Sequence, residues 1–234
     1  MDALDLVAGP AIDLLARVDE RLTRCGAPAE HPVWPLLRQV RALPGDAVGA
    51  FLSVRPAPWT DADIAIRPHL DGYAQAADAL VGPLDWTGAA AQAYDATRSA
   101  LAAQLAGRPD AAPGADPDSH AGRLAATAGF AEALARWAQL SRAALAGVLA
   151  GALSSADAIT VVAAVGPAVG AGEAAAARAA AAVAVPVLRI LAEIGEDGEN
   201  LLARWQSRVA PAGPGGAPAQ DLALRPDAVL RLRY

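Results

Sequence analysis

One cysteine, three histidines and two groups of carboxylates are the residues of this chain whose types can carry chemistry. His31, His69 and His120 lie far apart, and each is flanked by proline or loop residues. None stands in a spacing such as His-x-x-x-His, which would put two ring nitrogens on one helix face to share a metal ion. They read as solvent-facing loop histidines. Cys25 has Arg24 beside it, a neighbour that can lower a thiol pKa. No catalytic signature surrounds it, and an inert thiol is expected. A single cysteine excludes an intramolecular disulfide. Asp61, Asp63 and Asp71 can share part of a helix surface, and Glu193, Glu196, Asp197 and Glu199 form a denser cluster. Paired carboxylates do acid–base work when their surroundings push their pKa values apart. With no deep polar pocket in prospect, solvated acidic faces are the reading here. Gly170-Ala171-Gly172 is no phosphate loop, because it has neither a preceding strand nor a following Lys-Ser/Thr. The expectation is a protein that is not an enzyme and uses no cofactor and no metal.

Composition points to helices. Of the 234 residues, 54% are hydrophobic but only 4% aromatic. The apolar content is mainly Ala, Leu and Val, and Ala and Leu are strong helix formers. An all-α fold follows. Alanine faces are thin, so helices can approach closely while each contact buries little area. At about 25 cal/mol per Å², stability must come from long seams or from a partner. The basic residues are all arginine, and Asn200 is the one asparagine. This bias suits a GC-rich genome such as that of an actinobacterium. A net charge of -6 argues against a general nucleic-acid binder, which needs a positive face. The acidic start Met1-Asp2-Ala3-Leu4-Asp5 lacks the positive region of a secretory signal.

Leu4, Val7, Ala11, Leu14, Leu15, Val18 and Leu22 recur at helical spacing and predict a helix over 2–24, with Pro10 as a kink or late start and Gly26 and Pro28 ending it. Short helices are predicted over 33–43 and 46–54. Residues 55–59 read as a connector, with Thr60 or Asp61 capping the next helix. Its stripe is Leu70, Tyr73, Ala77, Leu80 or Val81, and Leu84. Ala91, Tyr94, Arg98, Leu101 and Leu105 continue a similar stripe, interrupted at Arg98. Residues 107–118, rich in proline and aspartate, predict a loop. A long helix follows over 119–153, with Leu124, Ala131, Leu134, Trp137, Leu145 and Val148 inward. A last one runs over 173–209 along Val183, Val187, Ile190 or Leu191, Ile194, Leu201, Leu202, Trp205 and Val209. The tail 210–234 is rich in proline and glycine, and its end, Val229 to Tyr234, alternates like a strand.

The most informative stretch lies between the two middle stripes. Trp86-Thr87-Gly88 separates them, with Ala90 and Tyr94 following. Gly88 supplies backbone freedom where the chain reverses, and Trp86 places a large ring at the reversal. Two matched stripes joined by a tight turn predict an antiparallel hairpin over 59–107. Trp86-x-Gly88 after a helical stripe, with Ala90 and Tyr94 beyond it, resembles the WXG family of type VII secretion substrates. That resemblance, which covers residues 60–107, implies a helical hairpin acting through helix-on-helix binding. The chain departs from the family pattern in two ways. Its hairpin lies inside a much longer protein. The Tyr-x-x-x-Asp/Glu export signal is also missing, since Tyr73 is followed at the fourth position by Ala77 and Tyr94 by Arg98. A partner would have to supply the signal, or this chain is not itself exported.

Together these readings predict an elongated all-α helical bundle. It has an N-terminal helical extension over 1–58, a bundle over 59–209 and a tail over 210–234. The expected function is non-enzymatic: a type VII secretion-associated substrate or accessory protein that binds a helical partner or itself. Trp86 and Gly88 shape the hairpin tip, and Tyr94 and Leu101 lie on the binding seam. It would be secreted without a signal peptide, or be cytoplasmic before export. The rival is a membrane-active or pore-forming protein. Residues 143–169 are apolar and long enough to span a bilayer, though Ser154, Ser155, Asp157 and Gly166-Pro167 interrupt them. In that case the helices of 143–187 would refold into lipid.

Overall fold

The structure, a computed structural model, describes residues 1–83, 85–109, 111–112, 114–164 and 171–209. Among these residues it is all-helical, with eight helices: α1 (Ala3–Cys25), α2 (Val33–Val40), α3 (Pro44–Phe51), α4 (Ala57–Leu80), α5 (Ala89–Ala106), α6 (His120–Leu153), α7 (Ala156–Ala163) and α8 (Ala171–Val209). Leu84, Gly166, Pro167, Gly170 and the strand pattern of the tail lie outside the described residues.

Local chemistry explains several helix ends. Asp2 and Asp5 form a reciprocal capping box at the start of α1, each carboxylate accepting the other's backbone N–H. Gly26 ends α1 at φ 67°, and Gly107 ends α5 at φ 93°, a region open to glycine. The Ser155 hydroxyl accepts the Ala158 N–H to start α7. The connector lies earlier than the expected 55–59, over 52–56 between α3 and α4. Pro58 sits in the first turn of α4, where a missing N–H costs nothing. Neither Thr60 nor Asp61 caps that helix; the Thr60 hydroxyl donates to Pro56 O inside the first turn. Pro10 leaves α1 unbroken.

Two compact units divide the described chain. Unit 1 combines residues 1–55 with 137–199, and unit 2 combines 56–136 with 200–209. The division falls within α6 and α8.

Unit 1 has a dense aliphatic core. Leu4, Leu15, Val18, Val33, Val48, Leu145, Leu149, Val187 and Leu188 are shut off from solvent. α1 packs on α3 and α7. Phe51 meets the Trp137 ring edge-on at 6.3 Å, and the Trp137 indole donates to Ile194 O. The buried face of α8 is wider than the expected seam, because Ala176, Ala177, Ala179, Ala180, Ala181 and Ala184 are also buried.

A polar clasp closes unit 1. Arg142 on α6 is 1% exposed. Its guanidinium donates to Asp2 Oδ2 at 2.5 Å, to Asp2 Oδ1 at 3.1 Å and to Asp5 Oδ1 at 2.7 Å. It also donates to the carbonyls of Leu52 and Val54. Buried charge requires this degree of pairing, so the capping box of α1 doubles as the counter-charge for α6.

Unit 2 is built differently. Among its described residues the buried apolar side chains are Ala77, Ala91, Ala102, Ala121, Ala128, Ala131, Ala135 and Leu201. α4 and α5 pack on each other. Arg67 on α4 bridges Asp63 at 2.8 Å and Glu132 of α6 at 2.6 Å. The Trp205 ring meets Phe130 at 5.9 Å, tilted by 40°, and lies against Gly129, where a Cβ would come within 2.8 Å of the ring.

Candidate interaction surface

The four residues singled out at the Trp-x-Gly break all lie in unit 2 and all are exposed. Trp86 is 48% exposed, Tyr94 52% and Leu101 44%. Gly88 is the N-cap of α5 at φ 111°, ψ 178°, a conformation reserved essentially for glycine. A Cβ there would meet nothing within 4 Å, so the requirement is backbone geometry and not space. The Gly88 carbonyl accepts the Gln92 N–H and begins the helix.

Trp86 and Tyr94 touch. Their ring centroids are 5.9 Å apart at 49°, a geometry in which aromatic pairs attract. The Arg98 guanidinium lies 5.6 Å from the centre of the Tyr94 ring and donates to Gly82 O at 2.7 Å. Arg98 therefore ties α5 to the segment that precedes it and holds the Tyr94 ring from one side. In the sequence Arg98 read as an interruption of an apolar stripe. That interruption was itself the signal, since an arginine inside a stripe needs an acceptor.

The inward face of α5 differs from the expected stripe. Ala91 and Ala102 are buried, and the Arg98 side chain is only 11% exposed, whereas Tyr94 and Leu101 point outward. Close approach to α4 selects the smallest side chains, so the larger members of the stripe turn to solvent.

The reactive residue types are not brought together. Among the described residues, no group of three His, Cys, Asp or Glu side chains is arranged to hold a metal ion. His31 Nδ1 accepts the Val33 N–H, His120 stacks on Tyr73 at 6.1 Å, and His69 is exposed. The Cys25 thiol donates to Glu173 Oε1 at 3.2 Å. That bond, with burial, pushes its pKa up and outweighs the opposing charge of Arg24. Arg24 pairs instead with Glu20. Glu193, Glu196, Asp197 and Glu199 are exposed, and Glu196 accepts from Gln39 at 2.8 Å. A shallow cleft lined by Glu30, His31, Trp34 and Arg38 lies in unit 1, where the Trp34 indole donates to Pro28 O and holds the loop after α1.

Among the described residues one helix, α8, is long and apolar enough to cross a membrane, with mean hydropathy 1.7 over its most apolar stretch, half of which is buried. α6 and α7 reach the same threshold together but are bent by 63°. No protein-family model, curated protein or solved structure matches the chain.

Proposed function

We propose that this protein is a non-enzymatic interaction module of the WXG type, a substrate or accessory protein of a type VII secretion system. In this reading α4 and α5 act as an antiparallel hairpin whose tip is Trp86-Thr87-Gly88. Trp86, Tyr94 and Leu101 are the side chains a helical partner or a second copy covers. One observation carries it: apart from Leu201 the buried apolar side chains of unit 2 are alanines, while Trp86, Tyr94, Leu101, Ile64 and Val81 are exposed. Alanine burial yields little free energy per contact. Large apolar side chains left outside are the material of protein interfaces, and tryptophan and tyrosine dominate their energetics. Export without a signal peptide, from a cytoplasmic pool, belongs to the same proposal.

The test is Trp86→Ala, read for both melting temperature and partner recovery. An interfacial Trp86 costs ~2 kcal/mol or more of binding, with a small change in melting temperature. A core tryptophan would instead cost ~3–5 kcal/mol of stability. A large fall in melting temperature, with unchanged partner recovery per folded molecule, would reject the recognition role. Comparing culture filtrate from strains with and without the secretion ATPase tests export.

A second reading rests on the length and apolarity of α8 and of α6 with α7. Under it the protein acts on membranes, and flotation with phosphatidylcholine vesicles would carry the chain upward. Failure to float while folded rejects that reading.

A further inference from the structure

Asp19 on α1 faces the N-terminus of α3. The first amides of a helix need acceptors from outside it, and Leu43, the N-cap of α3, has no side chain to offer one. Asp19 supplies it from another helix: its Oδ2 accepts the Gly45 N–H at 2.9 Å. Gly45 permits the approach, since a Cβ there would stand 2.5 Å from Oδ2 and 3.4 Å from Leu15 Cβ. The second oxygen, Oδ1, is buried and has no hydrogen-bond partner. A carboxylate in this position is half satisfied, and burial penalises its charge.

The charged groups around it do not help. On α3, the Asp46 carboxylate opposes a second negative charge, while the Asp46 N–H favours one. On α1, the positions one turn away are Leu15, Ala16, Leu22 and Thr23, all uncharged. α7, which also packs on α1, has Asp157 as its charged residue; it is exposed and does not act on Asp19.

We propose that Asp19 is a proton-operated latch on α3, holding the helix against α1 when neutral and loosening it when charged. Burial outweighs the Gly45 bond and pushes the Asp19 carboxyl up to about 7 from the ordinary 3.8. The sign follows from linkage. The docked state is penalised above pH 7, and the penalty falls as pH drops through 7 and vanishes near 4. Loosening uncovers Val48 and Phe51, which are buried under the docked helix, and parts Phe51 from Trp137. The consequence is a pH-gated apolar patch in unit 1, separate from the surface around Trp86.

Native-state hydrogen exchange at the amides of Val48, Phe51 and Leu52 tests the latch. Between pH 6 and pH 8 the two titrations change the opening constant by about tenfold, after correction for intrinsic exchange. Amides of Val187 and Leu188 serve as the internal reference. The wild type is expected to open about ten times more at pH 8, and Asp19→Asn to show no such change. Equal opening at both pH values, or the same pH dependence in Asp19→Asn, overturns the proposal. If the variant does not fold, carbon NMR of the Asp19 carboxyl in the wild type decides. A midpoint between pH 6 and pH 8 supports the latch, and one near pH 4 overturns it.

Discussion

Replacing Arg142 by methionine tests whether the clasp holds α1 and α6 in one unit. The guanidinium makes five hydrogen bonds, three to Asp2 and Asp5 and two to the carbonyls of Leu52 and Val54. Methionine keeps the aliphatic stem packed and removes every donor. Charge-assisted bonds contribute ~1.5–3 kcal/mol each when fully buried. Here the discount is large, because the Asp2 side chain is 43% exposed and that of Asp5 20%. Both carboxylates can therefore turn to water once the arginine is gone. Removing one partner of a buried pair costs ~3–5 kcal/mol, and this exposure places the expected loss near the lower end, ~3 kcal/mol. For a chain of this size that is a fall of roughly 6–12 °C in melting temperature. Urea and thermal unfolding followed by far-ultraviolet circular dichroism measure it, and a double-mutant cycle with Asp2→Asn isolates the pair at ~1–2 kcal/mol. An Arg142→Met protein within ~0.5 kcal/mol of the wild type would show that the clasp contributes no net stability.

Acid should undo the same clasp. Hydrogen bonding to Arg142 holds the Asp2 carboxyl down to about 2, so its contribution is present above pH 4 and is lost as pH falls from about 4 to 2. The unfolding midpoint should drop over that window and do so less in Asp2→Asn; identical profiles would contradict this. Gly88→Ala should cost ~1–3 kcal/mol because φ is 111° there, which urea unfolding of the variant would show. Gly147, inside α6 with nothing within 4 Å of a Cβ, is the contrasting case. Gly147→Ala should gain ~0.5–1 kcal/mol, and a loss at that site would mean α6 is packed more tightly there than its geometry indicates.

Much of the helical pattern was legible in the residues. Gly26, Gly88 and Gly107 mark helix ends through backbone freedom, which depends on a few neighbours in sequence. The stripe of α1 gave its buried face, since Leu4, Leu15 and Val18 are too large to be left outside without loss. The residues at the Trp-x-Gly break were also visible, because a tryptophan beside a glycine between two helices is a local pattern.

Alanine faces were not legible. A methyl group fits a tight seam or an open surface equally well, so the stripe of α5 pointed to Tyr94 and Leu101 where Ala91 and Ala102 are buried. Arg142 with Asp2, and Asp19 with Gly45, were missed for a related reason: the partners lie 140 and 26 residues apart, and helical periodicity carries no information at that range. Helical character and most helix stops among the described residues follow from local residue types, because propensity and capping act within one turn. Long-range packing set that residues 1–55 share a unit with 137–199 and that unit 2 buries mainly alanine while Trp86, Tyr94 and Leu101 stay exposed. Those outcomes depend on which faces meet, and alanine-rich faces leave many meetings nearly equal until buried charges and close glycine contacts select among them.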